Sequence, residues 1–261
     1  MRVMNMKQTK KDEKRSDDMK RIDGRKPDEI RPIFMQAGIL KRAKGSAIVK
    51  LGRTTAIAGV YGPKKLHSKH QQDSNKAVLK VTYNMVPFST DERVRPGPSR
   101  RSTEISMVLR EALEAAVILE EFPKAVIEVQ IDILQAEAST RVAALNAASM
   151  ALADAGIPMR DLVSSCTAGK IDDEYILDVA GKEEDVTLCD LPVAYMPREK
   201  KVTLLQMDGD LPVKDVKNVI QLAIKGCETL YQKQKEALKE RWIGSVQGLA
   251  DLNGTKSEVK G

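Results

Sequence analysis

The 261-residue chain has only two histidines, His67 and His70, and three cysteines, Cys166, Cys189 and Cys227. Neither histidine lies in a nucleophile motif, which argues against a Ser-His-Asp hydrolase. The cysteine count is odd and no CxxC pair occurs, so zinc-ribbon and thiol-redox chemistry fall away and a reducing cytoplasm fits best. No stretch stays apolar for the roughly 20 residues that a bilayer-crossing helix needs. The lysine-rich start is followed by no apolar segment of secretory type, and the expectation is a cytoplasmic protein with no membrane contact. GxxxxGK[ST] and the dinucleotide fingerprint are absent, as is any repeat of solenoid period, which disfavours P-loop, Rossmann and solenoid folds.

What the chain does have is an ordinary globular balance, 42% apolar and 31% charged residues, over a length of one large domain or two small ones. Its net charge of +6 is unevenly spread: residues 1–26 hold ten Lys/Arg against five Asp/Glu, so nearly all the excess sits at the start. Residues 1–20 are polar and aperiodic, the pattern of a flexible basic arm. Such an arm attracts phosphate backbones, and it is equally a solvated terminus; charge alone does not decide between them.

Folding is expected from about Arg21. Residues 46–61 read as two β-branched strands around Gly52, and residues 77–88 as a third, with Leu79, Val81, Tyr83 and Met85 on one face. After the Pro-Gly-Pro loop at 96–98, Ile105, Val108, Leu109, Ala112, Ala116 and Leu119 keep helical spacing up to Pro123. Residues 125–133 alternate as a strand, and an Ala-rich buried helix follows to about Gly156. Strands are expected again over 163–207, then an amphipathic helix through Val216, Val219, Ala223, Cys227 and Leu230, with a flexible tail over 241–261. The class is α+β in two βα halves, 21–160 and 161–240.

Three segments could carry chemistry. The turn Ser139-Thr140-Arg141 follows a strand and opens a helix, so free amides, two hydroxyls and a guanidinium meet where a phosphate could sit. The competing reading is a plain helix cap with Arg141 paired to Glu137. The loop holding Arg93, Arg95, Arg100 and Arg101 suits phosphate backbones through charge-assisted contacts, unless Asp91, Glu92 and Glu104 neutralise it. Acidic residues Glu183, Glu184, Asp185 and Asp190 could hold Mg²⁺ or donate a proton, though most acidic loops do neither. His67 and Lys69, with Lys64 and Lys65, form a basic surface loop lacking further zinc ligands.

Six ordered motifs then resemble one family. Arg21-Ile-Asp-Gly-Arg25, Gly62-Pro-Lys64, Pro87-Phe-Ser-Thr-Asp-Glu-Arg93, Pro98-Ser-Arg-Arg101, Leu134-Gln-Ala-Glu-Ala-Ser-Thr-Arg141 and Ala153-Asp-Ala-Gly-Ile-Pro158 are similar to those of RNase PH-type phosphorolytic exoribonucleases over roughly residues 20 to 235. Within that family the chain most resembles the catalytic ring subunits of archaeal exosomes. The resemblance implies a ribosomal-protein-S5-like α+β fold and a 3′→5′ exoribonuclease that spends inorganic phosphate and releases nucleoside diphosphates. It implies phosphate binding by Ser139, Thr140 and Arg141, and RNA binding by Arg93, Arg95, Arg100 and Arg101 with His67 and Lys69 in the basic loop. Asp190 and Asp185 are the implied Mg²⁺ ligands. For the general acid, ungapped counting from Asp190 lands on Glu184 and a one-residue shift on Asp185, and Asp185 is the first choice. A second departure is Glu137 in place of the usual aspartate before the Ser/Thr-Arg turn. Implied partners are single-stranded RNA, a non-catalytic RNase PH-like paralogue in a trimer of heterodimers, and S1/KH-type RNA-binding cap subunits. The alternatives are a stand-alone tRNA-trimming RNase PH, a non-catalytic ring scaffold and a plain RNA-binding protein.

Overall fold

The computed structural model describes Arg21, residues 23–66 and residues 69–254. The basic arm expected over 1–20 and the candidate RNA contact His67 lie outside the described residues. The first sheet contains β1 (Ile33–Ala37), β2 (Gly45–Leu51), β3 (Thr54–Lys65), β4 (Val78–Met85) and β5 (Ala125–Gln135), in the order β1-β2-β3-β5-β4. Gly52, at φ +57°, makes the tight link between β2 and β3. All neighbours are antiparallel except β4 and β5, and a parallel pair needs a crossover connection.

Helix α1 (Arg100–Glu114) supplies that crossover. It starts at a reciprocal capping box between Ser99 and Ser102 and buries Ile105, Leu109, Ala112 and Leu113 along one stripe. It stops before the periodicity does. Val117 pairs with Met159, the Ile118 amide donates to the Pro158 carbonyl, and Leu119 falls in a separate 3₁₀ turn. A strand-like contact thus overrides the helical spacing of the sequence.

Helix α2 (Thr140–Asp154) is buried on every side from Val142 to Leu152. Alanine and serine give it a thin wall, and β2 comes close enough that a Cβ on Gly45 would lie 2.1 Å from the Ala155 amide nitrogen. The second sheet contains β6 (Ser164–Ile171), β7 (Glu174–Leu177), β8 (Cys189–Met196), β9 (Lys201–Leu205) and β10 (Asp208–Gly209), all antiparallel. Strands β9 and β10 both pair with β8. Helix α3 (Val213–Gly254) covers β6 and β8 through Val219, Ala223, Cys227 and Leu230.

Fully buried Asn146 of α2 joins the halves. Its amide donates to the Ser165 carbonyl at 2.8 Å, and its carbonyl accepts from the Ser165 amide at 3.1 Å and from Gln234 of α3 at 2.9 Å. Helix α3 runs to Gly254, past the point near Trp242 where the sequence predicts a tail. Adding a residue to an existing helix costs far less than starting one, so weak formers are carried along. Among the described residues no helix is long and apolar enough to cross a membrane.

Candidate active site

Strand β5 delivers the chain to a turn with two left-handed residues, Ala138 at φ 58° and Ser139 at φ 52°. Non-glycine residues pay roughly 1–2 kcal/mol each for that conformation, so the surroundings must enforce it. Ser139 stands at the N-cap of α2, yet its hydroxyl does not cap the helix. It donates to the Val179 carbonyl at 2.9 Å. The helix start therefore keeps amides without a side-chain cap, and those suit an anion. Thr140 accepts a hydrogen bond from buried Tyr83 at 3.0 Å.

Arg141 does not pair with Glu137, whose carboxylate meets Arg53 instead. The Arg141 guanidinium donates to the side-chain oxygen Oε1 of Gln206 at 2.5 Å and faces Glu104 at 3.4 Å. Its Nε is buried without a hydrogen-bond partner. Because Glu104 is engaged there, the neutralised arginine loop also fails to form: Arg93, Arg95, Arg100 and Arg101 are exposed and make no ion pair among the described residues.

A cavity of about 490 Å³ opens beside this turn. Arg101, Ser139, Thr140 and Arg141 line one part of it, and Glu184, Asp190, Gln206 and Asp208 another. Asp190, the second residue of β8, sits between Gly169 of β6 and Asp208 of β10. Burial pushes its carboxyl up to about 6; the Glu184 and Asp208 carboxylates push the same way and Arg141 opposes them. Its Oδ1 is buried with no partner.

Six sequence candidates thus converge: Arg101, Ser139, Thr140, Arg141, Glu184 and Asp190. Glu184 and Asp185 are both exposed, and of the two only Glu184 belongs to the lining. Arg93, Arg95 and Arg100 are exposed and outside the lining, and Lys69 opens a short 3₁₀ turn after the basic loop. Sequence reasoning missed Tyr83, Gln206 and Asp208, and took Glu104 for a partner of the loop. Glu104 lies one helical turn after Arg101 on α1, a spacing that could have placed both at one site. Among the described residues, no three His, Cys, Asp or Glu side chains form a ready metal cage.

Residues 29–158 match the family model for domain 1 of the 3′ exoribonuclease family, RNase PH, and residues 161–226 match the model for its domain 2. The chain belongs to the RNase PH family. Its relatives include the exosome complex component Rrp41 of Pyrococcus horikoshii, 56% identical over 87% of this chain and 92% of that protein. The Rrp41 of Methanopyrus kandleri is 52% identical over 88% and 96%. Two solved structures are similar: rice Rrp46, with a TM-score of 0.76 and 25% identity over 84% of this chain and 100% of that one, and the Archaeoglobus fulgidus exosome with RNA bound to the active site, at 0.72 and 26% over 83% and 93%. The RNase PH resemblance and the α+β class read from the sequence both hold. As an RNase PH protein the chain is a phosphorolytic 3′→5′ exoribonuclease, in a family that uses phosphate as co-substrate.

Proposed function

We propose that this chain is the phosphorolytic subunit of an archaeal-type exosome, shortening single-stranded RNA from its 3′ end. One observation carries the reading: Arg141, Arg101 and Asp190 line one cavity although they come from α2, α1 and β8. Two anions, orthophosphate and the terminal phosphodiester, must be brought together, and guanidinium groups with open helix amides lower that cost. Arg141, Ser139 and Thr140 hold the attacking phosphate. Arg100 and Arg101 hold the RNA backbone, so little base preference is expected.

In the forward step an oxygen of orthophosphate forms a bond to the terminal phosphorus as the bond from phosphorus to the preceding 3′ oxygen breaks. A nucleoside diphosphate leaves, and the shortened strand keeps the 3′ oxygen, which needs a proton. Glu184, which belongs to the lining, supplies it in our reading, in place of Asp185. The reverse step extends RNA from nucleoside diphosphates. Asp185, one ligand the resemblance implies, is not in the lining, whereas the unpartnered Oδ1 of Asp190, the other, fits Mg²⁺, an ion that can be held by a single carboxylate and completes its shell with water and substrate oxygens. When bound, it supplies positive charge to the reacting phosphates.

The Rrp41 relatives and the RNA-bound exosome structure support work on RNA within an exosome complex; the assembly we propose for it is a ring shared with an RNase PH-like paralogue, with RNA-binding caps above. Three buried free cysteines are compatible with work in the cytoplasm. The test incubates the protein, with its ring partner, on single-stranded RNA with and without phosphate. Nucleoside diphosphates should appear only when phosphate is present. Monophosphates, or binding without shortening, would overturn the reading.

A further inference from the structure

The Arg21-Ile-Asp-Gly-Arg25 motif lies far from the cavity in sequence, and none of its described residues lines it. The structure gives it and Arg31 a common occupation. The loop after β7 carries Glu184 to the cavity, and it is held from behind by Arg21, 8% exposed. That guanidinium donates to the Leu177 carbonyl at 2.7 Å, the Asp178 carbonyl at 2.8 Å and both carboxylate oxygens of Glu183 at 2.8 and 2.5 Å. Glu183, the direct neighbour of Glu184, is itself 2% exposed and also accepts from the Ala180 amide.

Arg31, 4% exposed, spans from this loop to the phosphate turn. It grips the Asp178 carboxylate with two nitrogens at 2.8 and 2.7 Å and donates through Nη1 to the Glu137 carbonyl at 2.7 Å. Thr54 secures the same turn: its hydroxyl reaches the Glu137 and Ala138 carbonyls at 2.7 and 2.8 Å and accepts from the Glu137 amide at 3.0 Å. Ser139 then ties the turn back to Val179 in the acidic loop. Buried ion pairs add little net stability over apolar packing, so their value here has to be sought in what they hold in place. Apart from the Arg21 bonds to the Leu177 carbonyl, at the end of β7, and to the Glu29 carbonyl at 3.1 Å, these bonds end on one of the two cavity-bearing loops or on the carboxylate that anchors one of them.

We infer that Arg21 and Arg31 are positioning residues for phosphorolysis, Arg31 with Thr54 fixing the phosphate turn and Arg21 with Glu183 fixing the loop that presents Glu184. This inference rests on the proposed roles of Arg141 and Glu184. It predicts a split in kinetic constants that a purely structural role would not produce.

The experiment compares Arg31→Lys, Thr54→Val, Glu183→Gln and Arg141→Ala in the assembled complex, with melting midpoints measured alongside. Lysine at 31 can keep the Asp178 charge pair but cannot also bond the Glu137 carbonyl in the same fork geometry. Arg31→Lys and Thr54→Val should each raise the KM for phosphate about tenfold or more, with the KM for RNA within about twofold. Glu183→Gln should lower kcat about tenfold, leave the KM for phosphate in place and change the pH profile of kcat. Should Arg31→Lys fail to fold, the near-isosteric Thr54→Val decides. Lower melting points with unchanged kinetic constants, or a parallel decline of all constants, would overturn the inference. An unchanged KM for phosphate in Arg141→Ala would instead sink the underlying site assignment; a raised one there, with Arg31→Lys and Thr54→Val unaffected, would sink the positioning roles alone.

Discussion

Arg141 has two polar neighbours and one unsatisfied nitrogen, so its guanidinium is aimed into the cavity without being fully used. Removing it should cost the interaction energy of a charge-assisted bond, about 1.5–3 kcal/mol, which is roughly a tenfold to hundredfold rise in the KM for phosphate. Arg141→Ala should therefore weaken phosphate use more than RNA retention, while Arg100→Ala/Arg101→Ala should do the reverse; filter binding and phosphate titration check the pair. Asp190 supplies a pH prediction. Its carboxyl is raised, so the folded protein binds that proton more tightly than the unfolded chain does. The stability penalty of its charge is present above about 6 and fades as pH falls toward the ordinary carboxylate value. Asp190→Asn should thus raise the melting point at pH 8, by about 2–4 °C for each kcal/mol relieved, with a smaller gain at pH 5, while abolishing activity. For the same reason Mg²⁺ activation of the wild type should need more metal below pH 6, since a proton must leave first. The residues legible in sequence, Ser139, Thr140, Arg141 and Asp190, sit where a strand or helix begins next to tell-tale neighbours. Gln206 and Asp208 gave no such signal, because their role comes from β8, β9 and β10 folding beside α1.

At the scale of elements, hydrophobic period located nearly every long strand and helix. It failed where a distant partner intervened: the pairing of Val117 with Met159 ends α1 early, and the short strands β1 and β10 exist only through β2 and β8. Glu184 and Asp185 show the same limit more sharply, since they are neighbours in sequence and both exposed, yet only Glu184 lines the cavity. The meeting of α2 with β2 is tight enough to test. Gly45→Ala would drive a methyl group into the helix backbone at Ala155, so a loss of about 1–3 kcal/mol is expected in urea unfolding. An unaltered midpoint would mean the two elements can slide apart.

At the scale of the whole molecule, the two sheets are joined through Asn146, whose amide serves β6 and α3 together. Asn146→Ala would leave the buried backbone groups of Ser165 unpaired, at about 1–3 kcal/mol for each. A single transition in calorimetry, lowered as one, would show that the halves unfold together, whereas two separated transitions would contradict this joining. The sequence pattern gives no sign of this seam, because one buried asparagine carries no periodic signature. Helix α2 lies along that seam, sealed by protein from Val142 to Leu152. Its amides should therefore exchange among the slowest in the molecule. The bed proposed for phosphate should then be among the stiffest parts of the enzyme, so that successive rounds of trimming are accommodated by the transcript sliding forward over an unyielding anvil.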